Sequence, residues 1–86
     1  MKEDLLNVKV FWIPLTKEVF FEGKVKSISS ENPLGKFDVL PKHANFITLI
    51  FNELTIITDK EEKISYQFKR GVLEVTENKV NIFLGF

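Results

Sequence analysis

Along most of this chain hydrophobic and polar residues alternate with the period of two that marks a half-buried β-strand. Leu6, Val8, Val10 and Trp12 share one side of the first run, Asn7, Lys9 and Phe11 share the other, and Pro14 ends it. A second strand is predicted over residues 18–23, closed by Gly23. Val25 and Ile28 both suit a core but have opposite parity, so the pattern predicts a β-bulge between them. Ser29 to Leu34 reads as loop by composition. Pro33, Leu34 and Gly35 then have tight-turn character, because Pro fixes φ and Gly tolerates positive φ. Phe37 and Val39 alternate with Lys36 and Asp38 as a short strand. Leu40 is held extended by the proline after it, and Pro41 stops pairing because it has no N–H to donate.

Phe46 to Phe51 is the least polar strand, and Asn52-Glu53 reads as a tight connection to a further strand over Leu54 to Thr58. Asp59 to Lys63 is a charged hairpin tip. Ile64, Tyr66 and Phe68 face one way, and Ser65, Gln67 and Lys69 the other. Val72 to Thr76 and Lys79 to Leu84 pair across Glu77-Asn78, where Asn at the second loop position accepts positive φ. The result is about eight to ten short strands with turns roughly every 8–12 residues, and no helical period. The pattern predicts one all-β domain over residues 1–86, a sandwich or barrel.

Composition narrows the function classes. Twelve Lys and Arg balance twelve Asp and Glu, which argues against a nucleic-acid binder, since such proteins need a positive footprint on phosphate. The absence of cysteine removes disulfides, thiolate metal sites and cysteine catalysis together, and fits a reducing compartment. Residues 1–7 lack the apolar core of a signal peptide. The longest apolar run, Val10 to Leu15, is far short of the roughly 20 residues of a membrane span. A soluble chain is expected, with any membrane link made through a partner.

No catalytic constellation emerges. His43 is the sole histidine, and beside a proline corner it reads as a structural hydrogen-bonding residue. Ser27, Ser29, Ser30 and Ser65 lack a nucleophile-elbow context. Glu61-Glu62 reads as a solvated turn, and the glycines at 23, 35, 71 and 85 stand singly, so none builds a phosphate loop. No catalytic, metal or cofactor site is expected. Partner binding has more support. Phe46 to Phe51 is apolar on both faces apart from Thr48, Phe11 and Phe83 fall at positions of outward parity, and Phe86 ends the chain. Two readings of these residues stay open: burial by neighbouring segments, or an exposed apolar patch of the kind that marks an interface. A competing class is a small β-barrel binding module for another protein or for single-stranded nucleic acid, stacking bases on Trp12 and Tyr66. It requires basic residues interleaved with the rings on one face, and the lysines here are scattered.

Three ordered blocks carry a family resemblance. Gly35, Phe37, Val39-Leu40-Pro41 and His43-Ala44 form the first; Phe21-Glu22-Gly23, Val25 and Ser27-Ile28-Ser29 precede it; Gly71 to Val75, Asn78-Lys79-Val80 and Ile82 follow it. Together they resemble the N-terminal β-sandwich domain of the epsilon subunit of the rotary F-type ATP synthase. The resemblance implies a two-sheet β-sandwich of mostly antiparallel strands. It also implies a non-catalytic central-stalk rotor subunit of a proton-translocating ATP synthase, gripped by the gamma subunit and by the loops of the proteolipid ring. Such a chain lies peripherally at the cytoplasmic face of the cell membrane. Carried onto this chain, Gly35, Lys36 and Phe37 form the ring-facing loop, while His43, Phe46 and Phe83 lie on the gamma side. No cofactor and no nucleic acid are implied.

Three departures from the family pattern stand out. Lys42 occupies the position where the family usually has Gly between Pro and His; if that residue needs positive φ, Lys there costs roughly 1–2 kcal/mol. Lys36 sits where the loop is often acidic, so the charge offered to the ring is reversed. The sequence ends at Phe86, directly after the last strand, so a short form without the family's C-terminal helical hairpin is expected.

Overall fold

The structure, a computed structural model, describes residues 4–13, 19–42 and 45–85. Among the described residues it contains six strands and no helix. They are β1 (Leu6–Ile13), β2 (Val19–Asn32), β3 (Gly35–Val39), β4 (Phe46–Thr58), β5 (Lys63–Thr76) and β6 (Lys79–Gly85). The hydrogen-bonded order is β1-β6-β5-β4-β2-β3, and β1 also pairs with β2. That extra pairing closes five strands into a flattened barrel, with β3 attached to the far edge of β2. Every pairing is antiparallel except that of β1 with β6.

The all-β sandwich class is borne out, but the strands are fewer and longer than the alternation suggests. β2, β4 and β5 run 14, 13 and 14 residues. A straight 14-residue strand would span roughly 46 Å, more than the 40 Å longest dimension of the molecule. Each therefore bends from one layer into the other. One layer holds the first half of β2 with β1, β6, the second half of β5 and the first half of β4. The other holds β3, the second halves of β2 and β4, and the first half of β5. Dividing the three long strands at their bends recovers nine segments, within the expected eight to ten.

The bends occur at register shifts. The expected bulge between Val25 and Ile28 is present, with Lys26 as the extra residue opposite Ile57 and Thr58. It switches the inward parity of β2 from Val25 to Ile28 and Ser30. Asn52-Glu53, expected as a connection, lies inside β4 at a second shift, where Lys69 is the extra residue on β5. The loop expected over Ser29 to Leu34 shrinks to a turn at Pro33-Leu34, because Ser29 to Asn32 pair with Gly35 to Asp38 of β3.

Among the described residues, fifteen apolar side chains fill the space between the layers, including Leu6, Val8, Val10, Ile50, Leu73 and Leu84. The buried polar side chains are hydrogen-bonded, as burial without a partner would be costly. Ser30 Oγ donates to the Glu53 carbonyl at 2.7 Å, and Thr58 Oγ1 accepts from the Lys60 and Glu62 amides at the β4–β5 turn.

Candidate partner-binding surfaces

The first surface is the tip of the β2–β3 hairpin. Asn32 pairs with Gly35, so Pro33 and Leu34 alone make the turn. Asn32 Oδ1 accepts from the Leu34 amide at 2.9 Å, and Gly35 takes φ 121°, a conformation open to glycine and strained for other residues. This geometry thrusts Leu34 into solvent at 96% exposure. Lys36 is exposed beside it, opposite Glu31 in the ladder. Phe37 turns the other way: its ring is half-buried against the core, edge-on to Phe46 at 6.4 Å. Of the three residues expected in the ring-facing loop, Gly35 shapes the tip, Lys36 projects from it and Phe37 anchors it. Leu34, a turn residue by composition, is its most exposed apolar group.

The second surface lies on the outer face of β1, β6, β5 and β4. Strand register places Phe11 beside Phe83, Phe83 beside Val72, and Val72 beside Leu49. All four have the parity opposite to the core residues of their strands. Phe11 and Phe83 stack with centroids 5.1 Å apart and 12° between planes. Leu49 and its neighbour on the same face, Ile47, are 62% and 66% exposed. An apolar row thus crosses four strands and ends in two open aliphatic side chains. Of the gamma-side candidates, Phe83 belongs to this row and Phe46 does not. Phe46 points inward, packed against the core and Phe37. His43 lies outside the described residues.

Polar chemistry is dispersed. A groove of about 480 Å³ over β1 is lined by Lys9, Glu22, Lys24 and Lys79 with Asn7 and Asn81, and Lys9 pairs with Glu22 at 3.6 Å. Among the described residues no group of three His, Asp or Glu stands close enough to hold a metal ion. The rings of Trp12, Phe20 and Tyr66 form a chain, with centroid distances of 5.1 Å and 6.0 Å. Trp12 and Tyr66 are half-buried against the core. Partial burial pushes the Tyr66 hydroxyl above its ordinary pKa.

Comparison with known proteins supplies the context. The family model described as "ATP synthase, Delta/Epsilon chain, beta-sandwich domain" matches residues 13–84. An ATP synthase epsilon chain of Clostridium novyi (strain NT) is 33% identical over 67 residues, 77% of this chain and 51% of the relative. One from Clostridium botulinum (strain Alaska E43 / Type E3) is 31% identical over 64 residues, 73% of this chain and 48% of the relative. The chain thus spans about half the length of these relatives. Among solved structures, a chain of the Euglena gracilis mitochondrial ATP synthase superposes with TM-score 0.84 at 16% identity, covering 98% of this chain and 52% of that one. A chain of the Tetrahymena thermophila mitochondrial ATP synthase central stalk and c-ring gives 0.74 at 14% identity, covering 100% and 67%. At those identities the structures speak to the fold, and the family match and the clostridial relatives speak to descent. The chain belongs to the ATP synthase delta/epsilon chain β-sandwich family.

Proposed function

We propose that this chain is a non-catalytic subunit of the central stalk of a proton-translocating F-type ATP synthase, linking rotation of the membrane ring to ATP synthesis. Membership of the delta/epsilon family and the kinship with clostridial epsilon chains support this reading. So does the likeness to a chain in a structure described as central stalk and c-ring. The observation that carries it is the pair of separate apolar surfaces on one closed barrel: the row ending at Leu49 and Ile47, and the Leu34 tip. A subunit that passes torque needs two grips on a body that deforms little, and a close-packed interior provides such a body.

In this reading the gamma subunit takes the outer face, with Phe83, Phe11, Val72 and Leu49 as contacts. Phe46 supports that face from within, and His43 is assigned to the same partner. The ring loops take the hairpin tip, through Leu34 and Lys36, held by Gly35 and Phe37. Membership of the complex brings the chain to the cytoplasmic face of the membrane.

Reconstitution of the subunit with cognate gamma and ring tests both grips. Leu49→Glu is expected to weaken binding to gamma by about tenfold or more, because a charge would be desolvated in the interface. Lys36→Glu is expected to leave gamma binding intact and weaken assembly with the ring. Unchanged assembly by both variants would discard the proposal.

A further inference from the structure

We propose that the open edge of β4 pairs with the same edge of a second copy of this chain, forming a symmetric dimer of the free subunit. Residues 46–51 pair with β5 on one side. On the other side β2 reaches only residues 55–58 of β4, so among the described residues no strand pairs with Ile47 to Phe51 there, and the Leu49 carbonyl accepts from its neighbour's hydroxyl, Thr48 Oγ1, at 3.1 Å. Such edges invite further strands and are commonly protected by charge. The other open edges of this molecule carry that protection. β3 has Lys36 and Asp38, the first half of β2 has Glu22 and Lys24, and the first half of β5 has Lys63 and Lys69. From Asn45 to Asn52 there is no charge and no proline, and Ile47 and Leu49 stand more than half exposed.

The second copy is chosen because this edge complements itself. An antiparallel pairing about Thr48 sets Ile47 opposite Leu49 of the second copy on the outer face. It sets Phe46 opposite Ile50 on the inner face. Each side chain then meets one of its own kind on its own side of the sheet, as register demands. Residues 45–52 bring no charge of their own against the second copy, and the interface is isologous. The dimer would cover Ile47 and Leu49, so self-pairing and docking through the apolar row exclude one another. The self-pairing itself stands whether or not the chain joins a stalk.

Sedimentation equilibrium of the isolated chain over a wide concentration range tests this. A reversible monomer–dimer equilibrium is expected. Ile47→Lys and Leu49→Glu should each weaken it by about tenfold or more, with circular dichroism confirming that these surface changes leave the fold intact. In the combined variant, position 47 faces position 49 of the second copy. Two Lys–Glu pairs then form across the axis, and dimerisation should return in a salt-sensitive manner. A monomer at every concentration, a dimer indifferent to both single changes, or no recovery in the combined variant would each overturn the proposal.

Discussion

Lys42, like Glu61 and Glu77, is a residue at which the sequence and the backbone disagree. It takes φ 67°, in the left-handed region that costs a side chain roughly 1–2 kcal/mol. Its surroundings hold it there: its amide donates to Asn78 Oδ1 at 2.7 Å, and its Nζ lies 3.1 Å from Asp4 Oδ2. The ion pair is exposed and contributes little, so the amide bond is the stronger tether. The strain should appear as a difference between two substitutions that both remove the charge. Lys42→Gly is expected to be more stable than Lys42→Ala by about 1 kcal/mol in urea unfolding; equal stability would mean that the backbone is unstrained. A second prediction at this scale concerns Tyr66, the sole tyrosine. Burial raises its pKa, so the fold favours the neutral phenol. That contribution is complete below the ordinary value of about 10 and is lost as pH rises through the folded value. Phenolate absorbance should titrate higher in the native chain than in denaturant, and stability should decline over that alkaline window.

Among the elements, the two halves of each long strand were more legible than their continuity. The parity conflict between Val25 and Ile28 revealed the first bulge, because one extra residue is the simplest way to keep both inside. The second escaped, because Asn52-Glu53 has the composition of a turn while its backbone stays in the ladder. Local composition cannot distinguish a strand that bends between layers from two strands joined by a turn; only the pairing of Phe51 with Arg70 and of Asn52 with Phe68 does. The apolar row was half legible. Outward parity marked Phe11 and Phe83, but their alignment with Val72 and Leu49 depends on register across four strands. Phe46 shows the converse: its apolar character was plain, and its inward direction was not. Gly71 leaves no room for a side chain between β5 and β6, since a Cβ there would run into the Phe83 carbonyl oxygen. Gly71→Ala is therefore expected to destabilise the domain by about 2–3 kcal/mol, read from thermal or urea unfolding, as the ladder is forced apart. A loss below half a kcal/mol would show that the two strands separate freely.

For the whole molecule, the decisive feature is the parallel seam in which the first strand lies against the last, from Asn7 beside Lys79 to Ile13 beside Gly85. It makes the fold non-local, since the barrel cannot close until β1 and β6 are both in place. The seam also sets how the domain answers a pull. Tension between residues 6 and 85 drags the two strands lengthwise past each other, so the seam's hydrogen bonds are loaded together. Tension between Arg70 and Gly85, neighbours at the open end of the β5–β6 hairpin, peels the bonds one after another. Single-molecule stretching should find a higher rupture force for the first geometry than for the second, and the reverse order would mean that the seam is not the mechanical clamp. A domain built this way would yield last when drawn apart through its first and last strands, and would come apart more readily when prised open at a hairpin.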